Sequence, residues 1–297
     1  MTAWSHRLVP LCLAVALLQA CTATPKRTLD QEFRSVAGGR DAVVVLEQGE
    51  LRAAFAVANL NTASGGAIGG ALSAVITAGV NQHRADKAET TVGALRDSLS
   101  GYDFDRHALK ATQEALAKIS WFDVKNVSFT KDGSKDKLAG TLAQSAAPQL
   151  LVARYDYSIS PDCKRIAVLL DVSIFAKGAD TPENQIAAEK ALFTERFRFI
   201  RRIPEATRGA DKNAALWAAD GGAPARAAFD AGLAMVNDLL IRSLSQTSEA
   251  AAALDQGQEV HVGEETGKLV ETSAKGTLLY DGRAGMWTFI ERNTPSS

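Results

Sequence analysis

The chain of 297 residues carries a formal charge of −1, with 33 basic against 34 acidic residues. Hydrophobic residues make up 46% and charged residues 23%, which is ordinary for a globular protein with its own core. Because general nucleic-acid binding needs a concentrated basic field, this balance excludes a nucleic-acid partner from our expectations.

The N-terminal segment has the parts of an export signal. A short start with Arg7 and no acid precedes an uncharged apolar run over Leu8–Leu18. Such a run is typical of a signal-peptide core and is shorter than the ~20 residues that a membrane-spanning helix needs. Leu18-Gln19-Ala20-Cys21 follows, with a small residue directly before the cysteine. We therefore predict a cleaved signal peptide over residues 1–20.

This four-residue pattern resembles the lipobox of bacterial lipoproteins, in which leucine, a variable residue and a small residue precede a cysteine. The resemblance implies cleavage between Ala20 and Cys21, a diacylglycerol on the Cys21 thiol, and acylation of the new amine, so that palmitate labels the protein. In Gram-negative members an aspartate after the cysteine retains the protein at the inner membrane. Thr22 stands there, so the resemblance implies an outer-membrane anchor with the domain facing the periplasm. The alternative is an ordinary signal cut near Ala20 or Ala23, which gives a soluble secreted protein.

Lipidation at Cys21 would fix the protein to a membrane surface. One acyl chain binds a bilayer reversibly, whereas two or three, at about 0.8 kcal/mol per buried CH₂, bind it almost permanently. We expect residues 21–40 to form the lipidated tether. Beyond it we predict an α+β domain over 41–250 and a C-terminal β-hairpin extension of the same domain over 251–297.

The domain begins with a β-branched strand at Ala42–Leu46 and a second strand at Leu51–Val57. Between Ala53 and His83 the chain has no Asp, Glu, Lys or Arg. Apolar residues at helical spacing predict a glycine- and alanine-rich helix near 64–99. A row of small residues at four-residue intervals follows its other side: Gly66, Gly70, Ala74 and Ala78.

Two interpretations of this helix stay open. A row of small residues lets another backbone approach closely, as in pairs of membrane helices, and the protein would then insert or form homo-oligomers. Alternatively, the helix is buried within a soluble domain. We favour the second interpretation because the clearly apolar part, Ser64–Val80, is short for a membrane span and the chain already has a predicted anchor.

Periodicity predicts the elements that follow. Asp105 is expected to cap a helix that runs to Ile119. Alternation of apolar and polar residues predicts a hairpin over Tyr155–Ile159 and Ile166–Ile174. Further strands are predicted at Trp121–Thr130, Phe193–Phe199, Glu259–Val262, Leu269–Thr272, Gly276–Tyr280 and Met286–Glu291, and further helices at Lys135–Ser145 and Ala223–Leu244. Without regular βαβ alternation, this order indicates an α+β fold, an antiparallel sheet packed with several helices.

No nucleophile, phosphate-loop or clustered metal-ligand motif is present. We therefore predict no enzymatic activity, no cofactor and no metal. The histidines outside the signal, His83, His107 and His261, lie far apart in the sequence. Asp103 and Asp105 flank Phe104, so they form either a weak cation or acid–base pair or, as we favour, the start of a helix.

Two other features are candidates for chemistry. Arg196 and Arg198 share one face of a predicted strand, within a basic group that includes Arg201 and Arg202. They form a candidate patch for phosphates, lipid headgroups or cell-wall polymers, or else a solvated sheet face. Cys163 has no disulfide partner in the mature chain, and we expect it at the surface of a turn.

These observations predict a lipid-anchored, non-enzymatic component of a Gram-negative envelope that holds structure or binds another envelope protein. Two other hypotheses remain. The protein is membrane-active, and a helix over Gly65–Val80 inserts or oligomerises; or it is a periplasmic enzyme without a recognisable motif.

Overall fold

The structure, a computed structural model, describes residues 31–53, 90–178, 186–187 and 190–292. The predictions for Ala20 and Cys21 and for the row Gly66, Gly70, Ala74 and Ala78 lie outside these residues. Within them the chain is a mixed domain of helices and strands, as the sequence predicts, and its strands belong to one sheet.

Each predicted strand corresponds to a strand of the described ranges. The strands are β1 (Arg40–Val45), β2 (Arg52–Ala53), β3 (Val124–Thr130), β4 (Gln149–Ile159), β5 (Arg165–Ala176), β6 (Phe193–Arg202), β7 (Glu259–Val262), β8 (Glu265–Thr272), β9 (Gly276–Asp281) and β10 (Met286–Glu291). Their order across the sheet is β3-β1-β4-β5-β6-β10-β9-β8-β7, and β2 pairs with β4. Strands β4 and β8 begin several residues earlier than predicted.

Parallel pairs interrupt the antiparallel sheet that we predicted. Strands β4, β5 and β6 are antiparallel neighbours, as are β10, β9, β8 and β7. Strand β1, however, pairs in parallel with both β3 and β4, and β10 pairs in parallel with β6. A parallel pair needs a long crossover connection, which local alternation does not reveal. Through β10, the C-terminal strands continue the main sheet.

The helices are α1 (Gln31–Arg34), α2 (described over 90–98), α3 (Phe104–Ala117), α4 (Lys135–Gln144), α5 (Ala210–Ser245) and α6 (Ser248–Leu254). Helix α3 begins two residues earlier than predicted, because Asp103 is the cap and its side chain accepts the Arg106 N–H at 3.0 Å. Helix α5 kinks between Ala219 and Gly222, where three successive residues have positive φ. Its second part matches the predicted helix over Ala223–Leu244, whereas α1, α6 and the first part of α5 were not predicted.

Helices α3 and α5 cover one face of the sheet. The inward side chains of β4, β5 and β6 pack against them, for example Tyr155, Leu170 and Phe199. At Gly232 helix α5 lies so close to the sheet that a Cβ there would be 2.6 Å from Cγ2 of Val168. Only glycine allows this approach.

The opposite face is covered in two separate places. Helix α4 packs through Leu138 and Leu142 on Val43 and Val152. Elsewhere on this face, side chains of β5 and of the β7–β8 hairpin pack against a small apolar cluster. The cluster is formed by Ile200, Leu279 and Ile290. The hairpin therefore bends back over the outer face of β6.

The sheet has two distinct ends. We call the end where β1 and β4 begin, beside α1, the α1 end; the far end is where β4 ends at Ile159 and β5 begins at Arg165. The 11 residues of β4 separate them by about 34 Å. No helix in the described part of the chain is long and apolar enough to cross a bilayer.

Candidate functional site

A cavity of about 450 Å³ opens at the far end, on the helical face of the sheet. Its walls come from the turn after β1, from α2 and from the segment that joins α2 to α3, including Glu50, Leu51, Arg96 and Tyr102. The parallel strands β1 and β2 both point toward this end, which is where open sheets with parallel strands commonly bind ligands. The position makes the cavity the first candidate for a binding site.

The floor of the cavity is aromatic. Phe104, Tyr157 and Phe229 are almost completely buried, and the rings of Phe104 and Tyr157 stack with centroids 4.1 Å apart. The ring of Tyr102 joins the group with its centroid 5.7 Å from that of Phe229. Such rings favour flat or apolar groups of a ligand or of a partner side chain.

Tyr102 belongs to a polar trio that links α3 to α5. Its hydroxyl donates to Oδ1 of Asp230 at 2.7 Å, and Nδ1 of His107 lies 3.0 Å from the same oxygen. Burial, together with the hydrogen bond to Asp230, raises the pKa of Tyr102 well above its usual range. Tyr102 therefore stays a neutral phenol that can donate or pack, and it is not a base at neutral pH.

The two aspartates at the start of α3 have separate roles. Asp103 caps the helix, while Oδ2 of Asp105 lies 2.6 Å from Nζ of Lys131. The structure therefore favours the helix-start interpretation over a shared cation or acid–base site. Across the described ranges, no group of three or more His, Cys, Asp or Glu residues is placed to hold a metal ion.

Of the other two histidines, the structure describes only His261. His261 lies on β7, where Nδ1 is 2.8 Å from Oγ1 of Thr266 in an exposed position. His83 lies outside the described residues.

Arg196 and Arg198 share the outer face of β6, as the sequence predicts. Nε of Arg196 lies 3.3 Å from Oδ1 of Asp171, and Arg198 hydrogen-bonds Glu265. Both guanidinium groups are thus matched by carboxylates of the same chain, which alternation within one strand does not show.

Cys163 corrects one of our expectations. It lies in the β4–β5 turn, but its side chain is only 1% exposed, because the first part of α5 packs over it. Nε1 of Trp217 donates to the Cys163 carbonyl at 2.8 Å. Burial raises the pKa of the Cys163 thiol to about 11. The surface position was wrong because the sequence did not reveal the helix that carries Trp217.

A buried cation organises the α1 end. The guanidinium of Arg40 is 1% exposed and makes five hydrogen bonds, all to neutral oxygens. The acceptors are Gln149 Oε1 and the carbonyls of Trp121, Phe122, Phe33 and Arg34. Because Phe33 and Arg34 belong to α1, Arg40 ties that helix to the start of the sheet.

The sequence matches no model of a known protein family and no curated protein. Its function is therefore inferred from its own residues.

Proposed function

We propose that this protein is a lipid-anchored, non-enzymatic component of the bacterial cell envelope that binds another protein at the periplasmic face of the outer membrane. The proposal depends on one observation: Leu18-Gln19-Ala20-Cys21 follows directly after the apolar run Leu8–Leu18. This arrangement resembles the lipobox, and it makes Cys21 the acylated residue.

The position of α1 is consistent with an anchor at Cys21. This helix begins at Gln31, so about ten residues separate it from Cys21, and they span at most ~35 Å when fully extended. The Arg40 guanidinium holds α1 through the carbonyls of Phe33, at 2.7 Å, and Arg34, at 2.9 Å. An anchor at Cys21 would therefore keep the α1 end within about 35 Å of the bilayer surface.

The chemistry of the far end suits recognition better than catalysis. The cavity there has an aromatic floor, and Tyr102 remains a neutral phenol. Aromatic side chains and tyrosine hydroxyls are typical of surfaces where proteins bind one another. These features support recognition of a partner protein at the far end.

Labelling with palmitate tests the anchor. We expect wild-type protein to carry the label and to fractionate with the outer membrane, and Cys21→Ser to lose both properties. Cys12→Ser is the matched control, because it removes a thiol from the same segment without touching the lipobox. An unlabelled wild-type chain, or an intact amino end that starts at another residue, would contradict the proposal.

A second candidate is a membrane-active protein, and it is favoured by the absence of charge between Ala53 and His83. If that segment inserts or oligomerises, cross-linking in detergent gives ladders of homo-oligomers, and Gly70→Leu removes them. Gly140→Leu is the control, because a Cβ at Gly140 in α4 meets nothing within 4 Å. Ladders that persist in Gly70→Leu would count against this candidate.

A further inference from the structure

Three arginines converge at the far end, on the outer face of the sheet. Arg165 of β5 and Arg202 of β6 are direct cross-strand partners, and Arg198 lies on the same face of β6. We call Arg165, Arg198 and Arg202 the guanidinium cradle. The tip of the β7–β8 hairpin, residues 263–265, lies in it.

Each residue of the hairpin tip contacts the guanidinium cradle. Oε2 of Glu264 lies 2.7 Å from Nη2 of Arg165, and Glu265 hydrogen-bonds Arg198. Gly263 has φ +65°, and a Cβ there would collide with Nη2 of Arg202. The cradle thus already holds a short turn of the sequence Gly-Glu-Glu.

The charges in the guanidinium cradle do not balance. Three guanidinium groups face the carboxylates of Glu264 and Glu265, and the side chain of Arg202 forms no ion pair or hydrogen bond in the described part of the chain. Like charges directly opposite in a sheet repel each other, as Arg165 and Arg202 do. An additional anion between these two strands would relieve that repulsion.

The two glutamates are held unequally. The side chain of Glu264 is 71% exposed, whereas that of Glu265 is 17% exposed. An exposed ion pair is weak because water and salt screen it. Glu264 is therefore readily displaced from Arg165, while Glu265 remains in place and keeps the hairpin docked.

We propose that the guanidinium cradle binds an acidic segment of a partner protein, and that Glu264 occupies part of this site in the free protein. The guanidinium group matches a carboxylate with two parallel hydrogen bonds, which favours Arg over other cations for this task. The inference rests on the protein-binding function proposed above and adds that the partner's contact surface is acidic.

The test is titration of the purified full chain, in detergent, with a fluorescent oligoglutamate peptide. Arg202→Gln removes the unpaired guanidinium and should weaken binding about five- to tenfold. Glu264→Gln removes the internal competitor and should tighten binding up to about fivefold. Arg283→Gln is the matched control, because it removes the same charge from an exposed residue of the β9–β10 turn, and it should bind like wild type.

Three results would overturn the inference. The first is that Glu264→Gln binds the peptide with unchanged affinity, and the second is that Arg202→Gln and Arg283→Gln lose affinity equally. The third is that the protein binds phosphatidylglycerol vesicles through Arg202 but does not bind the peptide. Glu264→Gln keeps the test decisive if Arg202→Gln folds poorly. Because the titration needs no acylation, peptide binding by an unlabelled chain would sustain the cradle and refute only the envelope anchor.

Discussion

The α1 end and the far end surround their arginine side chains in opposite ways. At the α1 end, Arg40 has five neutral acceptors for its five N–H groups and is sealed from water. At the far end, Arg165 and Arg202 face each other, and among the residues that the structure describes only Arg165 of this pair has a carboxylate partner. The first arrangement is complete, whereas the second leaves capacity for another group.

The comparison indicates where the protein is rigid and where it can exchange contacts. A satisfied buried cation has nothing to gain from a ligand, because any rearrangement leaves donors or carbonyls without partners. A partly exposed cluster with excess positive charge, in contrast, is stabilised when it binds an anionic ligand. We therefore expect stability to be concentrated at the α1 end and recognition at the far end.

Replacing Arg40 should give the largest effect. Arg40→Leu leaves four carbonyls and the Gln149 amide without their donor, and we expect the free energy of unfolding to fall by about 3 kcal/mol in urea titrations. Arg34→Leu, which removes a less buried guanidinium over the same Trp121 ring, should cost less than about 1 kcal/mol. Equal losses in the two variants would show that the α1 end is not organised by Arg40.

Alkaline pH should lower the free energy of unfolding through Cys163, which lies at the far end. The pKa of the Cys163 thiol rises from its ordinary 9.0 to about 11, so the folded state holds this proton more tightly than the unfolded chain. The stabilisation is complete below pH 9 and is lost as pH rises toward 11. We expect a loss of about 1 kcal/mol between pH 9 and 10, measured by urea unfolding.

Cys163→Ala is the control for this pH dependence, because it removes the thiol and keeps a small apolar side chain in the turn. Its stability should fall less over the same interval. If wild type and Cys163→Ala lose stability in parallel, another group causes the effect.

The smallest effect is expected at the rim of the cavity. Tyr102→Phe removes the hydrogen bond to Asp230 in a partly exposed position and should cost about 0.5 kcal/mol. In a double-mutant cycle with Asp230→Asn, the two changes should be less than additive. Strictly additive losses in the cycle would show that Tyr102 and Asp230 do not interact. A loss of stability in Tyr102→Phe as large as that in Arg40→Leu would remove the contrast between the two ends.

Local sequence patterns predict most strands because one face of the sheet is deeply buried. The alternation in Tyr155–Ile159 and Ile166–Ile174 reproduces β5 and the second part of β4, since side chains there alternate between core and outer face. The first part of β4, from Gln149, was not predicted because its residues are buried on both faces and do not alternate. The first part of α5 is not predicted by such patterns, because Asp220, Gly221 and Gly222 are typical of a loop and indeed adopt positive φ. In the sequence, a kink of this kind is indistinguishable from the start of a separate helix.

The candidate sites are not visible in local patterns for a different reason. Tyr102 and Asp230 are separated by 128 residues, and Arg198 and Glu265 by 67. Neither pair has a characteristic spacing, since only the fold brings the members together. Arg196 and Arg198 were correctly placed on one face, but their carboxylate partners belong to other strands.

The parallel pairing of β10 with β6 has a consequence for how the protein folds. Strand β6 ends at Arg202, yet its neighbour β10 begins only at Met286. Before β10 pairs with it, one edge of β6 lacks its hydrogen-bonding partner, and Phe197 and Phe199 lack Trp287 and Phe289 beside them. A contact between segments so far apart in the sequence slows folding. While it is missing, the backbone groups at the edge of β6 are unpaired. Until β10 is in place, the open edge of β6 can pair with other chains, so β10 protects the sheet against aggregation.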